Sequence, residues 1–440
     1  MSYDLYRISD DSWSDVLSYL SLKDLCKFDG AFTNKSQRKW FLRCLRVGWF
    51  LQGRPLRTDV VFDLSAGHGP LRGSGAMEWV LKRGIHMASL ILPRMIHINV
   101  SEFYKIYAAL QGLLTKGLLN GLVDVDMGRS WCFFNLLGDI LTKSHDTIRR
   151  LDVRTDKCDM NAAYIYGEYY MACVGECEKL EALATNGYER ADVMDKLARG
   201  NPGLRMLVFG GDRTPLMVVV ESFAKHCPKI EYIDTGVCDD AMARKLVTNP
   251  RLADLLHVNL GDATTTDKTV TDMCSLNRFI KTLVLDGCVL LTNDSLYSIA
   301  KFLQGLVYFS LTGNRRITKQ GVAALVYGCP YIKGLVLRDC VGLGERTLFK
   351  IAEFCPDLVV IDVAGCKGVT LTSLFRLGEM CRKLKKVLYS GITRIFGGHL
   401  VDPDDAYPNI VWTIVIPGRP APPSTRLFYD NTYAPQQTDA

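Results

Sequence analysis

The feature that most constrains this 440-residue chain is a step of 26 residues that repeats through its last third. Four columns of side chains keep that step: Ile280, Leu306, Ile332, Leu358 and Leu384; Leu283, Phe309, Leu335, Ile361 and Val387; Leu285, Leu311, Leu337, Val363 and Tyr389; Cys288, Asn314, Cys340 and Cys366. Length alone would suggest about three domains. The repetition predicts instead one array of stacked units, because a unit of this size cannot bury its apolar side alone.

The second half of each unit has helical spacing. Leu296, Ile299, Ala300 and Leu303 lie at positions i, i+3, i+4 and i+7, which places one apolar stripe on a helix. Threonine hydroxyls precede these stripes, at the place where helix-capping side chains are favoured; they are Thr292, Thr318 and Thr370. Each unit therefore reads strand, turn, helix.

Weaker copies of the strand pattern run upstream. They are Leu255, Val258 and Leu260; Ile230, Ile233 and Thr235; Leu204, Leu207 and Phe209; Leu180, Leu183 and Thr185; and Ile148, Leu151 and Val153. Residues 148–391 thus hold ten units, and Leu119/Leu122 and Met87/Leu90/Leu92 suggest two more. The predicted fold is an α/β right-handed solenoid with parallel inner strands and outer helices.

The repeats resemble the cysteine-containing subfamily of leucine-rich repeats, of RNI-like fold. The pattern L-x-x-L-x-L-x-x-C/N covers residues 280–391 strongly and 148–279 moderately, and C-P-x-L junctions start at Cys227, Cys329 and Cys355. The resemblance implies a protein-binding solenoid. We expect the cysteines to be small packing residues of the repeat.

The N-terminal residues do not follow the repeat. Apolar stripes predict three short helices, at residues 13–20, 22–31 and 37–47. This segment resembles an F-box, whose apolar residues dock on the Skp-type adaptor of a cullin-RING ubiquitin ligase. The adaptor-binding residues implied by the resemblance are Ile8, Trp13, Val16, Leu17, Leu20 and Leu25. The alternative is that these helices only cap the first repeat, which would otherwise expose its apolar end.

Alternate strand positions point away from the core, and they are the candidate substrate-binding residues of the concave face. They are Arg150, Asp152, Arg154, Tyr232, Asp234, His257, Asn259, Asp286, Tyr308, Arg338, Asp362 and Lys386. This mixture of both charges with tyrosines suits a polar protein interface.

Composition excludes several classes of function. Lys and Arg (53) exceed Asp and Glu (47) by six, too mild an excess for a nucleic-acid groove. The 15 cysteines contain no C-x-x-C pair, and the histidines show no metal or catalytic spacing, so we expect no metal, no cofactor and no enzymatic activity. The start shows no secretory signal and no run long enough to span a membrane, which predicts a cytoplasmic or nuclear protein.

Four segments are predicted: an F-box-like module (1–50), a glycine-rich linker or first cap (51–86), the solenoid (87–400) and a proline-rich tail (401–440). Within the tail, residues 409–416 predict one last edge strand. The expected function is substrate recognition for a Skp-cullin-F-box ubiquitin ligase, which recruits a protein target for ubiquitin-dependent degradation. The alternative is a leucine-rich-repeat scaffold with an N-terminal cap and no link to ubiquitin.

Overall fold

Short parallel strands alternate with helices along the chain in the computed structural model. It describes residues 29, 38, 73–84, 86–87, 89–92, 100–126, 134–154, 172–186, 190–210, 217–252, 254–261, 264–390 and 407–414. Contacts divide the chain into two compact units, Met1–Lys229 and Ile230–Ala440.

The first unit builds one parallel sheet in the order β1-β2-β3-β4-β5. Its elements are α1 (Gly73–Arg83), β1 (Ser89–Ile91), α2 (Val100–Thr115), β2 (Asp124–Asp126), α3 (Phe134–Ser144), β3 (Arg150–Asp152), β4 (Ala182–Thr185), α4 (Ala191–Gly200), β5 (Met206–Phe209) and α5 (Met217–His226).

The second unit repeats the same alternation, and its strands pair in parallel from β6 through β13. Its elements are β6 (Tyr232–Asp234), α6 (Asp240–Val247), a 3-10 turn (Pro250–Leu252), β7 (His257–Asn259), α7 (Asp267–Leu276), β8 (Thr282–Val284), α8 (Asn293–Phe302), β9 (Tyr308–Ser310), α9 (Lys319–Gly328), β10 (Gly334–Val336), α10 (Glu345–Phe354), β11 (Val360–Asp362), α11 (Leu371–Met380), β12 (Lys386–Tyr389) and β13 (Val411–Ile414).

The strand register is the one that the 26-residue step predicts. Leu283 lies opposite Phe309, which lies opposite Leu335, and the column continues through Ile361 and Val387. All five side chains are fully buried. The repeating column is therefore the core of the second unit, and the leucine-rich-repeat-like α/β solenoid predicted from the sequence is confirmed.

The strand suggested at Leu119/Leu122 lies in a different frame. The strand in this region is β2, which begins at Asp124, and Asp124 pairs with Arg150 one 26-residue step later. Leu119 belongs to the turn after α2, where Gly117 and Gly121 adopt positive φ angles of 68° and 76°. Leu122 and Val125 take the repeat positions of Ile148 and Leu151, whereas Leu119, although also buried, precedes the strand pattern.

The three predicted capping threonines do not behave alike. Thr292 Oγ1 accepts a hydrogen bond from the Asp294 amide, and the Thr370 side chain accepts one from the Ser373 amide. Thr318 also stands at a helix N-cap, but its side chain accepts no capping bond and instead donates to Gln320 Oε1 at 2.6 Å.

A buried carboxylate joins the N-terminal segment to α1. Asp29 is 1% exposed and accepts two hydrogen bonds from Arg38, at 2.7 and 2.9 Å, and one from Trp79 Nε1 at 2.9 Å. Arg83 forms an ion pair with the same carboxylate at 2.5 Å, and its guanidinium lies 4.8 Å from the Trp79 ring centre. Burial alone would raise the pKa of Asp29, but the bonds from Arg38 and Trp79 and the Arg83 charge lower it below its usual value.

Candidate protein-interaction surface

Each strand turns alternate side chains away from the helices, and we call the sheet surface that they form the inner face. In β3, β6 and β7 the middle residue is buried and its two neighbours keep accessible surface. This alternation follows from the two-residue period of a strand. The inner face is therefore where polar side chains of the repeats can meet a partner.

In the first unit the inner face of β2 and β3 carries paired charges. Arg150 donates to both carboxylate oxygens of Asp124, with Nη2 at 2.6 Å from Oδ2. Arg154 packs against Asp152, with Nε at 3.0 Å from Oδ1. Sequence reasoning missed Asp124, although it stands 26 residues before Arg150 and the correct frame of β2 would have found it.

In the second unit the inner face of β6 and β7 carries a polar patch. Asn259 Nδ2 donates to Asp234 at 3.0 Å, and the rings of Tyr232 and His257 lie 5.7 Å apart. Burial lowers the pKa of His257, an effect that the negative charge of Glu231 partly opposes. The imidazole is therefore neutral at physiological pH, able to donate one hydrogen bond and accept another.

Asp286, in the turn after β8, holds the end of β9 in the next repeat. Its Oδ1 accepts hydrogen bonds from Ser310 Oγ at 2.6 Å and from the Thr312 amide at 2.8 Å. The carboxylate is thus held by its own neighbours, while part of its surface stays accessible.

Three predicted surface residues are buried instead. Tyr308 is 4% exposed and clusters with Val284 and Val336 on the inner face. Arg338 is 7% and Asp362 1% exposed, and they form an ion pair with Arg338 Nε at 3.0 Å from Asp362. Burial raises the pKa of Asp362, although the bond from Arg338 acts in the opposite direction. Side chains so enclosed offer a partner almost no contact area.

The other nine candidates keep accessible surface, and Lys386 is among them. They fall into one group in the first unit (Arg150, Asp152 and Arg154) and one in the second (Tyr232, Asp234, His257, Asn259, Asp286 and Lys386). Their role in binding stays a prediction. The adaptor-binding residues Ile8, Trp13, Val16, Leu17, Leu20 and Leu25 lie outside the described residues.

The described part of the chain contains no group of three His, Cys, Asp or Glu residues arranged to hold a metal ion. None of its helices is long and apolar enough to cross a bilayer. The eleven cysteines in that part are all free thiols, and every one except Cys173 is buried.

Parallel strands, stacked helices and a partly polar inner face define the chain as a leucine-rich-repeat-like α/β solenoid. No family model and no curated protein matches its sequence. Its structure is similar to that of Rad7 in the crystal structure of the yeast Rad7–Elc1 complex, with 13% identity, a TM-score of 0.51, and 89% of this chain and 98% of the other covered.

Two further solved structures show more limited similarity. The leucine-rich-repeat-containing protein LegL7 from Legionella pneumophila is 13% identical with a TM-score of 0.34, over 58% of this chain and 78% of the other. The Drosophila Toll–Spatzle complex gives 11% identity and a TM-score of 0.33, over 49% of this chain and 27% of the other.

Proposed function

We propose that this chain is the substrate-recognition subunit of a cullin-RING ubiquitin ligase of the Skp-cullin-F-box type, working in the cytoplasm or nucleus. The observation that carries the proposal is that a chain with this fold over nearly its whole length, yeast Rad7, forms a complex with a second protein, Elc1. The resemblance of residues 8–25 to an F-box supports the same arrangement, with the adaptor bound at the N-terminal segment.

In this proposal the chain performs no chemistry itself. Trp13, Leu17 and Leu20 would bury apolar surface against the adaptor, which would connect the chain to the cullin. The accessible inner-face residues would hold the target by polar and aromatic contacts. Ubiquitin transfer would then depend on how long, and in which orientation, the target stays on the inner face.

Co-expression with a Skp-type adaptor tests the first step. We expect the two proteins to co-purify, and Leu17→Asp combined with Leu20→Asp to abolish the complex, because two charges would have to be desolvated at an apolar interface. The matched control is Val289→Asp combined with Val341→Asp, two changes at sites that are 57% and 44% exposed on the solenoid. A wild-type chain that purifies without adaptor would refute the proposal.

The Asp29 cluster favours a second candidate, a scaffold whose N-terminal segment is only a cap. A cap must be fixed to the first repeat elements, and Asp29 is bound by Trp79 and Arg83 of α1. In that case removal of residues 1–47 would unfold the neighbouring repeats, and no adaptor would be recovered with the full chain. Hydrogen exchange of α1 and α2 together with the adaptor pull-down separates the two candidates.

A further inference from the structure

Exposed aromatic side chains line one edge of the second unit. We call this the helix-exit edge: residues 276–281, 301–305, 327–333, 353–357 and 379–385, where each helix ends and the next strand starts. Phe279 is 67%, Tyr327 73% and Tyr331 63% exposed, and Leu276 beside them is 52% exposed. These side chains add nothing to the core, since its columns are already filled, and clustered exposed apolar surface is characteristic of interaction sites.

The rings of this edge are already in contact with cations. The Arg278 guanidinium lies 5.7 Å and Lys301 Nζ 5.0 Å from the centre of the Phe302 ring. Farther along, the Tyr327 and Phe354 rings meet edge to face at 5.4 Å, and Lys350 Nζ lies 5.3 Å from the Phe354 centre. The edge is therefore a mixed surface in which positive charge lies against aromatic rings.

The solenoid repeats this combination at a fixed distance. Phe279 and Lys281 occupy the same repeat positions as Tyr331 and Lys333, two units later. Strand spacing places equivalent residues two units apart about 10 Å from each other. A partner therefore meets two aromatic anchors, each accompanied by a lysine, at a defined separation.

The charge of this edge is not balanced within the described part of the chain. Its exposed cations that form no ion pair there are Arg278, Lys281, Lys301, Lys333, Arg382 and Lys385. The three carboxylates Glu353, Asp357 and Glu379 already pair with Lys350, Lys383 and Arg376. The helix dipole accounts for Lys301, which lies in the last turn of α8, but not for cations beyond a helix end.

We propose that the helix-exit edge binds an acidic segment of a protein partner that carries apolar side chains between its carboxylates. Carboxylates complement the six cations, and the aromatic anchors bury the partner's apolar groups. A single-stranded nucleic acid fits less well, because cations cover the rings of Phe302 and Phe354, and the open anchors Phe279 and Tyr331 stand two units apart rather than side by side as successive stacked bases require. This surface is separate from the inner face, and its use does not depend on adaptor binding.

Selection from a random peptide library displayed on phage, with the full-length chain as bait, tests the proposal. A Lys301→Glu and Lys333→Glu variant serves for counter-selection. We expect the enriched peptides to combine Asp or Glu with aromatic or aliphatic residues. The Kd of these peptides should rise at least about tenfold when the chain carries Lys301→Glu with Lys333→Glu. We expect a rise of the same size when it carries Phe279→Ser with Tyr331→Ser. Circular dichroism and thermal unfolding confirm that the variants stay folded, as expected for exposed positions.

The matched control reverses the charge of two arginines at the other end of the strands, in the segment that leads from β9 into α9. Arg315→Glu with Arg316→Glu changes the net charge equally at exposed positions. We expect it to leave the Kd unchanged. If both charge-reversal variants lost peptide affinity equally, net charge alone would explain the attraction and the proposal would be wrong. Enriched peptides without acidic residues would also refute the proposal. Displacement of the peptides by oligothymidine at stoichiometric concentration would assign the edge to nucleic acid instead.

Discussion

Cysteine and asparagine interchange at two positions of the repeat because both side chains donate a hydrogen bond to a backbone carbonyl of the preceding repeat. After the strand, Cys340 and Cys366 donate to the carbonyls of Leu311 and Leu337, at 3.1 and 3.0 Å. In the same column Asn314 Nδ2 donates to the Cys288 and Leu291 carbonyls. A buried carbonyl between two stacked turns needs a donor, and both residue types supply one.

The same exchange occurs where the helices end. Cys329 donates to the Leu303 carbonyl at 3.3 Å, and at the corresponding position Asn201 Nδ2 donates to the Cys177 carbonyl at 2.7 Å. The sequence predicts that these cysteines are packing residues of the repeat, and their burial confirms it. Their role as donors could not be foreseen, because it depends on where a neighbouring carbonyl points once the repeats have stacked.

Asn314 allows a test of this role. Asn314→Ala removes donors to two carbonyls and leaves the amides of Arg316 and Ile317 without the acceptor they now use. We expect a loss of about 3 kcal/mol in the free energy of unfolding, measured from the urea midpoint. Asn314→Cys should cost about half as much, because the thiol restores one donor. Equal losses for both changes would contradict this, and exposed Gln304→Ala is the neutral control.

Turn geometry is a second property of single residues. Gly287, Gly313, Asp339 and Gly365 stand 26 residues apart and all have positive φ angles, of 73°, 78°, 56° and 77°. Only one of the four has a side chain, and Asp is among the residues best tolerated in this region. The turn therefore selects for glycine by backbone conformation.

Gly313→Ala isolates that effect, since no atom lies within 4 Å of the added methyl group. We expect a loss of about 1 kcal/mol, because L-residues other than Asn and Asp are strained at this φ. Asp339→Gly should keep or raise the free energy of unfolding. Chemical denaturation of both variants measures the difference, and a neutral Gly313→Ala would show that the turn can adopt another conformation.

At the scale of the elements, the strands that the sequence predicts between residues 148 and 391 are all present, and the last edge strand is β13. Strand position was predictable because buried leucines must recur with the repeat. Which inner-face residues remain accessible was not: Tyr308 and Asp362 share the strand register of Tyr232 and Asp234, and Arg338 shares the repeat position of Asp286, yet all three are buried. Burial depends on contacts that a repeat pattern does not encode.

The ion pair between Arg338, two residues after β10, and Asp362 of β11 gives a prediction at this scale. Arg338→Met alone leaves a buried carboxylate without its partner, and we expect it to cost about 3–5 kcal/mol. Arg338→Met combined with Asp362→Leu should cost much less than the single change, because it also removes the charge that must be desolvated. Thermal unfolding of the two single variants and the double variant completes the cycle; additive losses would contradict a coupled buried pair.

At the scale of the whole molecule, the Asp29 cluster binds Asp29 and Arg38 of the N-terminal segment to α1. Trp79 donates a hydrogen bond to the buried carboxylate of Asp29, which lies 50 positions earlier in the chain. The sequence assigns residues 51–86 to a linker or first cap, yet α1 lies within that range and supplies two of the partners. No periodicity signals such a contact, because it joins two segments outside the repeat.

A cleavage site placed between residues 51 and 72 tests this connection. After cleavage of the full chain, we expect the N-terminal fragment to stay bound through size-exclusion chromatography. Asp29→Asn should weaken that binding at least about 100-fold, since charged partners would face a neutral amide. Glu78→Gln on the same helix changes an exposed pair and is the control. A wild-type fragment that separates at once would show that the contact does not hold it.

The pH dependence of the same complex follows from the lowered pKa of Asp29. A carboxyl whose pKa is lower in the folded state stabilises that state fully above its unfolded value, about 3.9, and loses this contribution as the pH falls through the folded value. We therefore expect fragment retention to be constant from pH 8 to about 5 and to fall below about pH 4. Retention that weakens already near neutrality would point to a different titrating group.

The buried thiols also allow the local opening of individual repeats to be measured. Burial raises the pKa of Cys227, Cys329 and Cys355 to about 12, so almost no thiolate forms there at neutral pH. Among the described cysteines only Cys173 is partly accessible, and iodoacetamide should alkylate it first. Each of the ten buried thiols in the described part of the chain reacts only while its own repeat is open, so mass spectrometry of timed alkylation would reveal the order in which neighbouring repeats separate, without any engineered label.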